Sequence, residues 1–235
     1  MNAETASSAQ HKRLARRVPG VSLTLFLVAI VVFLCPRLTS LLQYDRAAVL
    51  DGEFWRVLTC QWTHWNFSHV LWDALMFVTL GALCERLCRT TFIACVAASA
   101  VLIPIVSAAA LPVMHHYRGL SGLDSAMFVL LAVQLIRLNR SRDRRLATAA
   151  ALGLGAFVLK TVYECVTGSI IFVQPESVFT PIPLAHIVGG AIGLIIASQG
   201  GSHEHRNPLP AARSDPTHPS PDRDLCLKCS ARQGI

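Results

Sequence analysis

Residues 91–111 read TFIACVAASAVLIPIVSAAAL, without a single charged side chain. As a helix, a run of this length crosses the hydrocarbon core of a bilayer, which needs roughly 20 residues. Outward from it, further apolar runs occupy about 67–84, 121–137, 147–167 and 184–199, and an earlier one extends from Val18 to Cys35. The chain therefore reads as an all-α polytopic membrane protein with six transmembrane helices. The first run is short and is expected to recruit flanking residues to complete its span. Composition agrees: of 235 residues 53% are hydrophobic and 15% charged, with a mean hydropathy of +0.48, whereas soluble domains carry about 25% charge.

Three regions follow. Residues 1–17 form a polar N-terminal tail ending in Lys12, Arg13, Arg16 and Arg17, residues 18–200 the six-helix membrane domain, and residues 201–235 a Pro-rich, charged tail expected to be disordered. The basic cluster before Val18 resembles the start of a signal peptide. Pro36-Arg37 stands where a small-residue cleavage site belongs, so the segment reads as an uncleaved first span. Residues 36–65 mix charges with Trp55, Trp62 and Trp65, and all four tryptophans lie between 55 and 72. Trp favours the membrane–water boundary, so this stretch reads as an interfacial loop between the first two helices.

The formal charge is +7, but its distribution speaks against nucleic acid. With the N-terminus inside, 16 of the 21 Lys and Arg residues fall in inner segments, Lys160 lies within the fifth span, and only Arg37, Arg46, Arg56 and Arg118 are left outside. This is the positive-inside pattern with both termini cytoplasmic. Eight cysteines are present, and Cys35, Cys84, Cys88, Cys95 and Cys165 lie in or beside apolar runs, where they act as small hydrophobes.

Parity then gathers a site. The second, fourth and sixth spans all run from outside to inside, so their N-terminal ends share one face. Each end carries unusual residues: His64, His69 and Asp73; Gly119, Leu120, Ser121, Gly122 and Asp124; and His186. A serine hydroxyl becomes a useful nucleophile when a base takes its proton, and His186 is the one histidine of the sixth span. Ser121 lies near a helix start, whose free amides and dipole suit a developing oxyanion. Read blandly, Gly-Leu-Ser-Gly is a small-residue packing surface, as is the stripe Ala185, Gly189, Gly193 and Ala197 beside His186. His69 and Asp73, four apart, share a helix face, where they can serve an oxyanion, line a polar pocket or bond each other. Asp124, three after Ser121, is a candidate to orient His186, with Arg118 or water as alternative partners. Lys160 and Glu164 are expected to pair with each other within the fifth span.

Together these residues resemble the rhomboid family. Trp55-Arg56-Val57-Leu58-Thr59, His64, His69, Asp73, Gly81 and Glu85 are similar to the family's first loop and second helix. Gly119-Leu120-Ser121-Gly122 with Ala126 resembles its nucleophile motif, and Ala185-His186-x-x-Gly189-x-x-x-Gly193 its base-bearing helix. The resemblance implies a rhomboid-like six-helix bundle and a Ser121–His186 dyad that cleaves membrane-anchored protein substrates. It also implies an oxyanion hole built from His69 and the Ser121 amide, structural roles for Trp55 and Arg56, and Glu85 as a brace at the inner end of the second helix. No cofactor is implied. Two positions depart from the pattern: the usual Asn is Asp73, and the usual aromatic four residues after the nucleophile is Ser125, with Phe128 one turn on. The Gly-Leu-Ser-Gly form looks most like the rhombosortase branch, associated with C-terminally anchored surface proteins and hence with a bacterial inner membrane.

Two other classes compete. A catalytically inactive relative would bind transmembrane helices without cutting them. A haem- or metal-binding protein would use His64, His69 and His186, yet there is no His-Glu-x-x-His motif and Gly-Leu-Ser-Gly would go unexplained. Cys226-x-x-Cys229 is half a zinc site, and no metal is expected there.

Overall fold

A computed structural model describes residues 18–168 and 183–204. The architecture below belongs to the unit spanning residues 1–201; of the unit 202–235, only the end of the last helix is described.

The first apolar run folds as α1, Gly20–Leu34. Its first turn has no capping side chain of its own, and the chain partner that supplies one is distant: Glu85 accepts from the Val21 N–H at 3.1 Å, the Ser22 N–H at 2.9 Å and the Ser22 hydroxyl at 2.9 Å. A carboxylate on the exposed amides of a helix start is worth up to about 2 kcal/mol when partly buried. This gives Glu85 a concrete bracing role. α1 stops at Leu34, and the flanking residues it was expected to recruit follow as a separate, sharply bent helix. Proline disfavours the helical conformation in the residue before it, Cys35 is extended (φ −116°, ψ 96°), and the chain turns by 111° into α2, Pro36–Leu42.

The interfacial segment is ordered. After α2 come β1, Tyr44–Asp45; α3, Arg46–Leu50; α4, Trp55–Thr59; and a 3-10 turn at Cys60–Trp62. The Asp45 carboxylate caps α3 by accepting from the Ala47 and Ala48 amides. The Trp-Arg-x-x-Thr motif closes the open end of α2. The last carbonyls of a helix lack intrahelical donors. Here Arg56 donates to Ser40 O (2.8 Å) and Gln43 O (3.0 Å), Trp55 to Leu41 O (3.3 Å) and Thr59 to Leu42 O (2.7 Å). Four consecutive carbonyls are satisfied from one short helix. Leu50, Phe54, Trp55 and Leu58 remain exposed on this segment, an apolar rim suited to the bilayer boundary.

The remaining helices are α5, Phe67–Leu87; α6, Arg89–Ala110; α7, Ser121–Asn139; α8, Arg144–Thr167; and α9, Pro183–Glu204. α5 through α8 are each long and apolar enough to cross a membrane, the bent pair α1–α2 makes a fifth candidate, and the apolar part of α9, Pro183–Gln199, is shorter. The protein is an all-α integral membrane bundle. β2, His116–Tyr117, pairs antiparallel with β1, Tyr44 opposite Tyr117, and so ties the interfacial segment to the chain just before α7.

α7 is the central helix, packed on α5, α6 and α8. Of its apolar window 56% is buried, against 6% for α8. Leu152, Val158, Leu159, Val162 and Val166 of α8 are exposed, as expected of a surface whose solvent is lipid. The buried residues of α8 are Thr161 and Glu164.

Candidate active site

Gly119 has φ +119°, a region closed to most side chains. A β-carbon there would also lie 2.7 Å from His69 Nε2 and 3.1 Å from Asp73 Oδ2. Glycine thus meets two needs at once, a left-handed turn and close approach to α5. The turn delivers the chain into α7, whose first residue is half-buried Ser121. No side chain caps this helix start, so the Ser121, Gly122 and Leu123 amides have no partner within the helix.

The next amide back is occupied. Leu120 N–H donates to Asp73 Oδ2 at 2.9 Å. The same oxygen lies 3.2 Å from His69 Nε2 and 3.5 Å from His64 Nε2, and the two imidazoles meet edge to face at 5.2 Å. One amide donor and two imidazole nitrogens converge on one carboxylate oxygen, so towards Leu120 Asp73 is an acceptor. His64, just ahead of α5, is 1% exposed. Burial pushes its imidazole below the ordinary histidine range, with the hydrogen bond to Asp73 acting the other way.

Arg118 locks this corner to the interfacial segment. Its guanidinium donates twice to Gln43 Oε1 (2.7 and 2.5 Å) and once to His64 O (3.3 Å), and stacks 4.2 Å over the Trp65 ring.

His186 reaches the same end of the bundle on α9, which lies directly on α7. A β-carbon on Gly189 would overlap the carbonyl oxygen of Gly122, and one on Gly193 that of Ala126. A β-carbon on Gly122 would meet Ala185 O at 3.3 Å. At the far end Arg137 donates to Ala197 O. The small-residue stripe therefore lets two backbones touch in parallel register. That register places Gly122, next to Ser121, against Ala185, next to His186. The N-terminal ends of α5, α7 and α9 meet at one end of the bundle.

His186 Nδ1 lies 2.9 Å from Glu164 Oε2, and Lys160 Nζ lies 2.7 Å from Glu164 Oε1. The Lys160–Glu164 pair is as the spacing led us to expect, but the contact with His186 was not foreseen. Asp124, the carboxylate singled out from the sequence, is buried, its Oδ1 has no hydrogen-bond partner, and its electrostatic neighbour is Asp73. Ser125 bonds back to the Ser121 carbonyl at 2.8 Å. Phe128 packs on Phe157 of α8, 5.7 Å between rings, and a β-carbon on Gly190 of α9 would meet Phe157 at 3.2 Å. Among the described residues no group of three or more His, Cys, Asp or Glu side chains is arranged to hold a metal. Cys226, Cys229, His205 and His218 lie outside the described residues.

A family model, Rhomboid domain, matches residues 51–201. The chain belongs to the rhomboid family. No curated protein matches it. The match opens just before the Trp55-Arg56 clamp and covers α4 to α9, hence every site residue described above. Rhomboid proteins are generally intramembrane serine proteases that act on membrane-protein substrates.

Proposed function

We propose that this rhomboid-family protein is an active intramembrane serine endopeptidase that cleaves membrane-anchored proteins with Ser121 and His186. The observation that carries the reading is the backbone contact between α7 and α9, which sets the uncapped helix start bearing Ser121 beside the turn bearing His186. Since His186 Nδ1 faces Glu164, Nε2 is the nitrogen left to serve as base. The Ser121 oxygen attacks the scissile carbonyl as its proton passes to His186 Nε2. The C–N bond then breaks as that proton moves to the departing amine, and water hydrolyses the acyl-enzyme by the same route. The oxyanion falls to the Ser121 amide and His69, held by Asp73. Purified protein treated with a fluorophosphonate should label at Ser121, and folded protein that does not label removes the proposal.

One observation favours a second reading. Asp73 already occupies the Leu120 amide and lies against both histidines, and an ionised carboxylate there opposes a forming oxyanion by like-charge repulsion. An inactive relative that binds transmembrane helices would tolerate this arrangement. The same labelling experiment separates the two.

The distribution of basic residues supports an orientation with both termini in the cytoplasm, and the rhombosortase-like Gly-Leu-Ser-Gly form supports a bacterial inner membrane. A reporter fused after residue 200 should read cytoplasmic and one inserted near residue 175 external. The reverse result would put the site on the inner face.

A further inference from the structure

We propose that Glu164 is the positioning residue for His186, so that the site works as a Ser121–His186–Glu164 relay; this rests on the protease reading above. α8 is the least buried of the four long apolar helices, and Glu164 is one of its two buried residues, its side chain 1% exposed. A lysine and a glutamate four apart can pair on a helix surface without burying either. Here Lys160 keeps 27% of its side chain exposed while the carboxylate turns inward. Its two oxygens then take different partners: Oε1 meets Lys160 at 2.7 Å and Oε2 meets His186 Nδ1 at 2.9 Å. An intramembrane carboxylate used only to neutralise Lys160 has no reason to face inward, because charge in the bundle interior is costly. Depth also agrees. Glu164 lies in the last turn of α8, His186 in the first turn of α9, and Ser121 begins α7.

The chemistry follows from the contact. With Nδ1–H donating to Oε2, the neutral ring is held in the tautomer whose Nε2 lone pair is free. When Nε2 takes the serine proton, the imidazolium forms against a fixed negative charge. The proton stays on the ring and goes on to the leaving amine, and Glu164 is never protonated. Asp124 has no part in this relay.

The test is fluorophosphonate inactivation of the purified full-length protein, resolved into the saturating rate kinact and the affinity KI. Glu164→Gln should lower kinact by about 10²- to 10⁴-fold, the range of a general base, with KI unchanged. Lys160→Met leaves the His186 contact in place and should react like wild type. In a His186→Ala background, Glu164→Gln should cost nothing further, because groups acting as one unit are not additive; a structural role would add its full loss. If Glu164→Gln does not fold, Glu164→Asp should fall between wild type and His186→Ala. Wild-type kinact in Glu164→Gln, or in a folded Glu164→Asp, overturns the inference, as does an equal loss in Lys160→Met. Absence of Ser121 labelling in the wild type would instead bring down the protease reading itself.

Discussion

Ser121→Ala and His186→Ala should each abolish cleavage while the protein stays folded and inserted. Neither side chain carries the bundle: Ser121 is half-buried at the first residue of α7, and His186 is half-buried beside the small-residue seam rather than in it. The seam is made by Gly122, Ala126, Gly189 and Gly193, which both variants keep. The loss should therefore be catalytic, and in a serine protease it reaches about 10⁶-fold in kcat for either partner. The double variant should be no worse than the singles. The measurement is a comparison of membrane and secreted proteins from cells carrying wild type or Ser121→Ala, which also identifies substrates, followed by the histidine and double variants on the fragments found. Near-normal turnover in His186→Ala would show that another group is the base.

At position 73 the two informative substitutions should diverge. Asp73 Oδ2 receives the Leu120 amide at 2.9 Å and lies 3.2 Å from His69 and 3.5 Å from His64. Asparagine has one oxygen that can keep the Leu120 bond, and its amide adds a donor without a negative charge. Asp73→Asn should thus retain most activity. Leucine accepts nothing. It leaves a buried amide without its acceptor, at about 1–3 kcal/mol, and frees His69 to turn away from the oxyanion. Cleavage should fall about 10- to 1000-fold, the scale of a lost oxyanion donor, and the thermal midpoint should drop. Full activity in Asp73→Leu would place the residue outside the oxyanion machinery. An inactive but folded Asp73→Asn would show that the charge itself is required.

Much of the fold was legible because its causes are local. An apolar run long enough to cross a bilayer must close its backbone hydrogen bonds internally, so the runs at 67–84, 91–111 and 121–137 could only be helices. The end of α1 was less legible. Its hydropathy continues to Cys35, whereas its length was decided by the restriction Pro36 places on Cys35 and by the clamp of Trp55, Arg56 and Thr59 on the carbonyls of α2. The first is a dipeptide effect readable in principle. The second joins residues 13 to 17 positions apart through a geometry no periodicity reports.

The site divides the same way. From residue types and span parity alone came the candidates Ser121, His186, His69 and Asp73 and the expectation that three helix ends share a face, because helix direction alternates with each crossing. Which carboxylate meets His186 was decided only in three dimensions. Asp124 stands three residues from Ser121 and looked the nearer choice, yet it is buried with its Oδ1 unpartnered. Glu164 stands 22 residues from His186 and seemed spoken for by Lys160, yet its second oxygen reaches the histidine. A carboxylate has two oxygens and a helix presents many faces. Sequence spacing gives the partner along one helix, and only the packing of one helix against another gives the partner across it.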